Sequence, residues 1–263
     1  MVPRMETLQV AQGGGVTTVT LARPERKNAI NDVMWRELRE VLEGIAADPS
    51  VRCVVLTGAG GAFCSGADLS GAADVTEERP HQLGVMRGIN LVVRALHDLP
   101  QPTIAKVDGV AVGAGFSLAL GCDLMVATPE SRFSAIFARR SLTVDCGLSW
   151  LLPRAVGRQK AKELALFADI ITAADAADLG FLNRVVPAEE IDAFVDDWAA
   201  RLAAGPPIAL AMTKRAVDRA FESTFQEALD TEALTQTVNF ATADTLEAMT
   251  AFIEKRDPTF RGR

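Results

Sequence analysis

Few side chains in this sequence are equipped for chemistry. Only two histidines occur, His81 and His97, and the four cysteines, Cys53, Cys64, Cys122 and Cys146, form no CxxC pair. Zinc chemistry needs such residues clustered, so a zinc site is not expected. Ser117 in GFSLA imitates a nucleophile elbow, yet that arrangement requires a later histidine and both histidines precede it. Gly58, Gly60 and Gly61 follow an apolar run, but a dinucleotide fingerprint needs glycine where Phe63 stands, and the second glycine-rich turn has Leu118 at the corresponding place. His97, just before DLP, reads as a helix-end residue.

Two turns rich in glycine and alanine remain, around residues 64–68 and 112–116. Each offers amide N–H groups at the positive end of a helix, where an anion or developing oxyanion is stabilised. Two such turns facing one pocket would form an oxyanion hole with no reactive side chain. The competing reading is that the small residues only permit close packing, and spacing leaves both open. One carboxylate stands near a further turn, Asp145 in LTVDCGLSWLLPR. It reads either as a proton carrier or as the N-cap of a helix beginning near Gly147.

Alternating strands and helices must position these turns. TLQVAQGGGVTTVTLARP alternates apolar and polar residues about a glycine cluster, as a hairpin does, and NDVMWRELREVLEGIAAD carries helical spacing with Asn31 or Asp32 as its cap. VRCVVLTG, PTIAKVDG and CDLMVAT are apolar runs of strand length, separated by a helix ending near His97 and by a second helix growing from VAVGAGFSLALG. This order predicts an α/β fold with parallel pairing, a core over residues 1–200, and a purely helical region over 201–263. The net charge of −7 disfavours nucleic acid and anionic membrane surfaces, and the longest apolar stretch, broken by Gly113, Gly115 and Gly121, is too short to span a bilayer. The N-terminus has no apolar signal region, so a cytoplasmic protein with free thiols is expected.

Five blocks in order, RPERKNAI, FCSGADL, KVDGVAVGAGFSLALGCDLMVA, WLLPRAVGRQKAKELAL and AFIEKRDPTF, resemble the crotonase (enoyl-CoA hydratase/isomerase) superfamily over nearly the whole chain. The resemblance implies a spiral of β-β-α turns, a C-terminal helical trimerisation region, and a homotrimer or hexamer acting on an acyl-CoA thioester. It implies no cofactor, since coenzyme A enters as part of the substrate. It places the thioester oxygen on the backbone N–H groups of Ala67 and Ala114. Ser65, with Cys64, then shapes the first turn, Asp68 steadies it or caps a following helix, and Leu69 adjoins the substrate. The nucleotide is implied near Arg26, Lys27 and Ala29, with Phe252 and Lys255 completing that site from a neighbouring subunit. The alternative for Arg26 and Lys27 is an ordinary solvated turn.

The hydratase pattern has two glutamates where this chain has Ser117 and Phe137, and phenylalanine has no titratable group. DCGLSWLLP instead resembles the isomerase branch, in which an aspartate at the place of Asp145 moves a proton between carbons. One carboxylate suffices for a 1,3-proton shift, and an apolar pocket beside Phe137 and Trp150 is expected to raise its pKa. The acyl-CoA dehalogenase branch pairs an aspartate with a histidine whose place matches Asn90. Double-bond isomerisation through Asp145 is therefore the expectation. The alternatives are an enoyl-CoA hydratase with water held by Ser117 and Asp145, and a non-catalytic acyl-CoA-binding protein. Residues 70–88 are expected to line or cover the acyl pocket.

Overall fold

A computed structural model describes residues 5–70 and 81–263. β1 (Leu8–Gly13) and β2 (Val16–Leu21) form a hairpin, and α1 (Asp32–Ala47), β3 (Cys53–Gly58) and α2 (Gln82–His97) follow. Next come β4 (Thr103–Val107), β5 (Val110–Val112), α3 (Ala114–Leu120), β6 (Leu124–Ala127) and β7 (Arg132–Ser134). α4 (Leu148–Val156), α5 (Arg158–Phe167), β8 (Ile171–Thr172), α6 (Ala173–Asp178) and β9 (Arg184–Val185) lead to four final helices. These are α7 (Ile191–Ala204), α8 (Pro207–Arg219), α9 (Phe225–Phe240) and α10 (Ala243–Glu254).

The expected α/β fold is present. Gly14 and Gly15 have φ of 59° and 79°, a two-residue turn open to glycine, and they set β1 antiparallel to β2 with Gly13 opposite Val16. From β2 onward the six-stranded sheet is parallel, in the order β1-β2-β3-β4-β6-β9. Its central strands are mostly apolar because both faces are covered. Cys53, Val55, Ile104 and Val126 meet Ile191, Val195 and Ala199 of α7, while Val54, Leu56, Ala105, Val107, Met125 and Ala127 face the larger core. Alternation of side chains along a strand sorts one apolar run into two cores.

α1 begins where the Asn31 carboxamide accepts from Met34 N–H at 2.9 Å, and it buries Met34, Trp35, Leu38, Leu42 and Ile45 on one face. A second sheet, β5-β7-β8, is extended by two isolated parallel bridges, Cys64 to Ala111 and Ile30 to Ala67. Both glycine-rich turns lie along this second layer.

The helical region differs in kind. α7 packs on the sheet and runs through residue 200, so the break in the chain comes at Gly205 and Pro206. α8 and α9 bury no residue, and Phe225 (81%), Phe252 (86%) and Ile253 (79%) are exposed on the surface of this single chain. No helix among the described residues is long and apolar enough to cross a membrane.

Candidate active site

The two turns are locked together by backbone. Cys64 N–H donates to Val110 O at 2.8 Å and Val112 N–H to Cys64 O at 2.9 Å. Ile30 N–H donates to Gly66 O and Asp68 N–H to Ile30 O, both at 2.8 Å. A Cβ at Gly115 would lie 2.3 Å from Cys64 O, so only glycine lets the second turn approach the first this closely. Gly66, at φ 99°, is the counterpart: its missing Cβ would stand 3.0 Å from Val112 O and 3.8 Å from Ala114 N. Within this knot the amide N–H groups of Ala67 and Ala114 donate to no partner among the described residues.

Side chains around the first turn shape it. The Cys64 thiol accepts from Gly66 N–H at 3.4 Å, and burial pushes its pKa up to about 12, so it is no nucleophile near neutral pH. Asp68 accepts from Ser70 N–H and Oγ at 3.0 and 2.7 Å and pairs with Arg23 at 2.8 Å. These contacts, the Ser70 hydroxyl foremost, hold its carboxyl down to about 2. Asp68 therefore steadies the turn, and no helix begins at residues 68–70. Leu69 is exposed beside it.

The loop at Pro24–Arg26 is tied to the same turn. Ser65 N–H donates to Lys27 O at 3.0 Å and Ser65 Oγ to Arg26 O at 3.2 Å. The side chains of Arg26 and Lys27 are exposed and form no ion pair among the described residues. Two residues that sequence reasoning missed hold this loop. Asn28, fully buried at φ 55°, donates to Ala59 O and Ala62 O at 2.8 and 2.7 Å and accepts from Arg23 N–H at 2.9 Å. Arg23 bonds Ala29 O while pairing with Asp68, and thereby joins the loop to the turn. An asparagine directly after a charged turn was the available signal, since Asn adopts left-handed backbone more readily than most residues. Phe252 and Lys255, at the end of α10, have no contact with this loop among the hydrogen bonds and ion pairs of the described residues.

Asp145 stands in the wall of a cleft of about 720 Å³ that also takes in Asn90, Ser117, Trp150 and Glu222. The cap reading of Asp145 does not hold. Cys146 and Gly147 both have positive φ, 51° and 80°, so the helix cap falls on Gly147 and no side chain caps α4. Asp145 Oδ1 is instead buried with no hydrogen-bond partner among the described residues, and burial raises the carboxyl above its ordinary range against a lesser opposing pull from the Cys146 thiol. Ser117 is buried, and its Oγ lies 3.2 Å from both Gly113 O and Asp145 O. That hydroxyl thus ties the second turn to the Asp145 segment. Ser117 sits three residues past Ala114 on α3, about 4.5 Å along the helix axis, which brings the free amide and the carboxylate segment to one neighbourhood. Phe137 is buried, with its ring edge 4.0 Å from where a Gly113 Cβ would stand.

Among the described residues no cluster of His, Cys, Asp and Glu could hold a metal ion. Within the stretch at 70–88, residues 71–80 lie outside the described residues, while Met86 lines the cleft.

The family model described as enoyl-CoA hydratase/isomerase matches residues 11–263. A 1,2-epoxyphenylacetyl-CoA isomerase of Escherichia coli (strain K12) is 40% identical over 95% of this chain and 96% of its own length. A short-chain-enoyl-CoA hydratase of Clostridium acetobutylicum is 34% identical over 92% of this chain and 93% of its own. The crystal structure of an enoyl-CoA hydratase from Bacillus anthracis superposes with a TM-score of 0.93 at 30% identity, covering 98% of this chain and all of that one.

Proposed function

The chain belongs to the enoyl-CoA hydratase/isomerase family and is an acyl-CoA-processing enzyme, and from that premise we propose that its reaction is a double-bond shift in an enoyl-CoA thioester with Asp145 carrying the proton. In the forward direction the carboxylate removes a proton from C2 of a 3-enoyl thioester. The electron pair moves onto the thioester oxygen, and the N–H groups of Ala67 and Ala114 stabilise the enolate. Asp145 then returns the proton to C4 and the double bond lies between C2 and C3. No proton or electron is gained overall. A donor aimed at charge that exists only in the enolate lowers the barrier without tightening the ground state.

The observation that carries this reading is Asp145 Oδ1, a buried carboxylate oxygen without a partner in the cleft wall. Buried polar atoms are ordinarily satisfied, and an orphan in a cleft is explained by a substrate it serves. Hydration, the activity in the name of the Clostridium acetobutylicum relative, is the second reading. It is less well supported because Ser117 Oγ is engaged by two carbonyl oxygens and Phe137 supplies no acid or base. Coenzyme A is proposed to enter along Arg26, Lys27 and Ala29, with Phe252 and Lys255 supplied by another copy in a homotrimer or hexamer. The exposed apolar face of α9 and α10 supports such an assembly.

The test is a paired assay of wild type and Asp145→Asn for 3-enoyl-CoA isomerisation and 2-enoyl-CoA hydration. Isomerisation that is lost in the variant, with little hydration in either protein, is the expected result. Dominant hydration, or isomerisation that survives the substitution, would overturn the reading. Thioester binding without any turnover would establish a non-catalytic acyl-CoA-binding protein.

A further inference from the structure

Glu222, between α8 and α9, reaches the wall of the Asp145 cleft from 77 residues further along the chain. It does so through Trp150. The indole Nε1–H donates to Glu222 Oε1 at 3.1 Å, and Arg154 Nη2 reaches the same oxygen at 3.3 Å. The Arg154 guanidinium lies 3.7 Å from the centre of the Trp150 ring and 5.7 Å from that of Phe221. Against another part of the indole, the His97 ring packs edge-on with centres 5.4 Å apart. Residues of α2, α4 and the α8–α9 junction thus converge on one aromatic side chain of the cleft wall, and the proton shift itself requires none of them.

A ring held on three sides is a rigid stop, and this one is backed by charge. An alkyl chain pushed past Trp150 must break the hydrogen bond from the indole N–H to Glu222 and strip water from Glu222 and Arg154, whose side chains are 55% and 26% exposed. Desolvating charged groups against methylenes is unfavourable, so the stop discriminates by penalty as well as by shape. We propose that Trp150, fixed by Glu222 and Arg154, is the specificity-determining residue that limits the enzyme to short acyl groups. This rests on the acyl-CoA reading above and is independent of which reaction Asp145 performs.

Saturated thioesters cannot isomerise or add water, so their binding isolates the stop from the chemistry. Titration calorimetry with butyryl-CoA, octanoyl-CoA and dodecanoyl-CoA would be run on the full-length wild type, Trp150→Ala, Glu222→Ala and Trp150→Phe, with thermal melts confirming that each variant is folded. Wild type should bind butyryl-CoA most tightly. In Trp150→Ala the dodecanoyl-CoA affinity should rise about tenfold or more while butyryl-CoA changes less than about threefold. Glu222→Ala should shift in the same direction by less, and Trp150→Phe, which loses the indole N–H to Glu222 and part of the ring, should fall between wild type and Trp150→Ala. A wild type that binds dodecanoyl-CoA as well as butyryl-CoA, or a length profile unchanged in Trp150→Ala, overturns the proposal. Absence of binding to every thioester overturns the acyl-CoA reading and this inference with it, whereas loss of isomerase activity alone leaves it intact.

Discussion

The turns at 64–68 and 112–116 keep their shape through backbone hydrogen bonds and through glycines that leave no room for a Cβ, whereas the wall at Asp145 is built from side chains of α2, α4 and the α8–α9 junction. The turns present amide N–H groups, which every residue but proline possesses, so in the proposed reaction they would serve any thioester whatever is attached to it. The wall presents Asp145, Asn90, Trp150 and Glu222, and in the proposed reaction their identities would decide which proton moves and which acyl group fits. Substitutions in the turns should therefore lower turnover for all substrates alike, and substitutions in the wall should change the reaction or the choice of substrate.

Asp145→Asn tests the wall most severely, with turnover falling by about 10²–10⁴-fold at nearly unchanged thioester binding. Its acid limb sharpens the same point. A base must be ionised, and burial raises this carboxyl, so kcat/KM in wild type should fall at a pH above the ordinary aspartate range. The counterpart in the turns is Ala114→Pro, which deletes one donor at the first position of α3, where proline costs a helix little. Turnover should drop by about 10²–10³-fold for short and long substrates equally, and a substrate-dependent loss would break the comparison.

Stability changes are smaller. Asp68→Asn removes the Arg23 pair that joins the loop at residues 24–29 to the first turn, at a cost of about 1–3 kcal/mol by denaturant melts at neutral pH. Because the folded carboxyl is held down to about 2, this contribution is present above the ordinary aspartate pKa and disappears as pH falls towards the folded value. Asp145→Asn has the opposite sign. Its folded pKa is raised, so the cost of a buried charge is absent below the ordinary pKa and appears as pH rises through the folded one. The variant should melt higher than wild type at neutral pH, by about 1 kcal/mol, with the gap closing as the medium is acidified. The least effect belongs to Arg26→Ala, a solvated charge, with about a two- to fivefold loss of thioester affinity that shrinks in high salt.

Apolar periodicity made β1 to β4, β6, α1 and the closing helical region legible, because side-chain alternation and helical spacing are local properties of the chain. The two turns were legible through glycine and alanine content, yet composition alone did not separate an oxyanion site from close packing. Gly115 shows why: in space its partner is Cys64 O, a group 51 residues away whose nearness no local pattern encodes. Asp145 posed the same difficulty. Its sequence context fits a helix cap, and only the positive φ of Cys146 and Gly147 moves the cap beyond it and leaves Oδ1 without a partner among the described residues.

By itself, then, the amino-acid order determined the main strands and helices, the family, and that Ser117 and Phe137 stand where the resemblance to hydratases calls for glutamates. Tertiary structure alone decided that the Ala67 and Ala114 amides lie in turns bonded to each other, that Asn28 and Arg23 brace the loop beside them, and that Glu222 closes on Trp150. The physical reason is range. Propensity and periodicity act over a few residues, while these contacts join groups 30 to 80 residues apart and exist only once the sheet has brought them together.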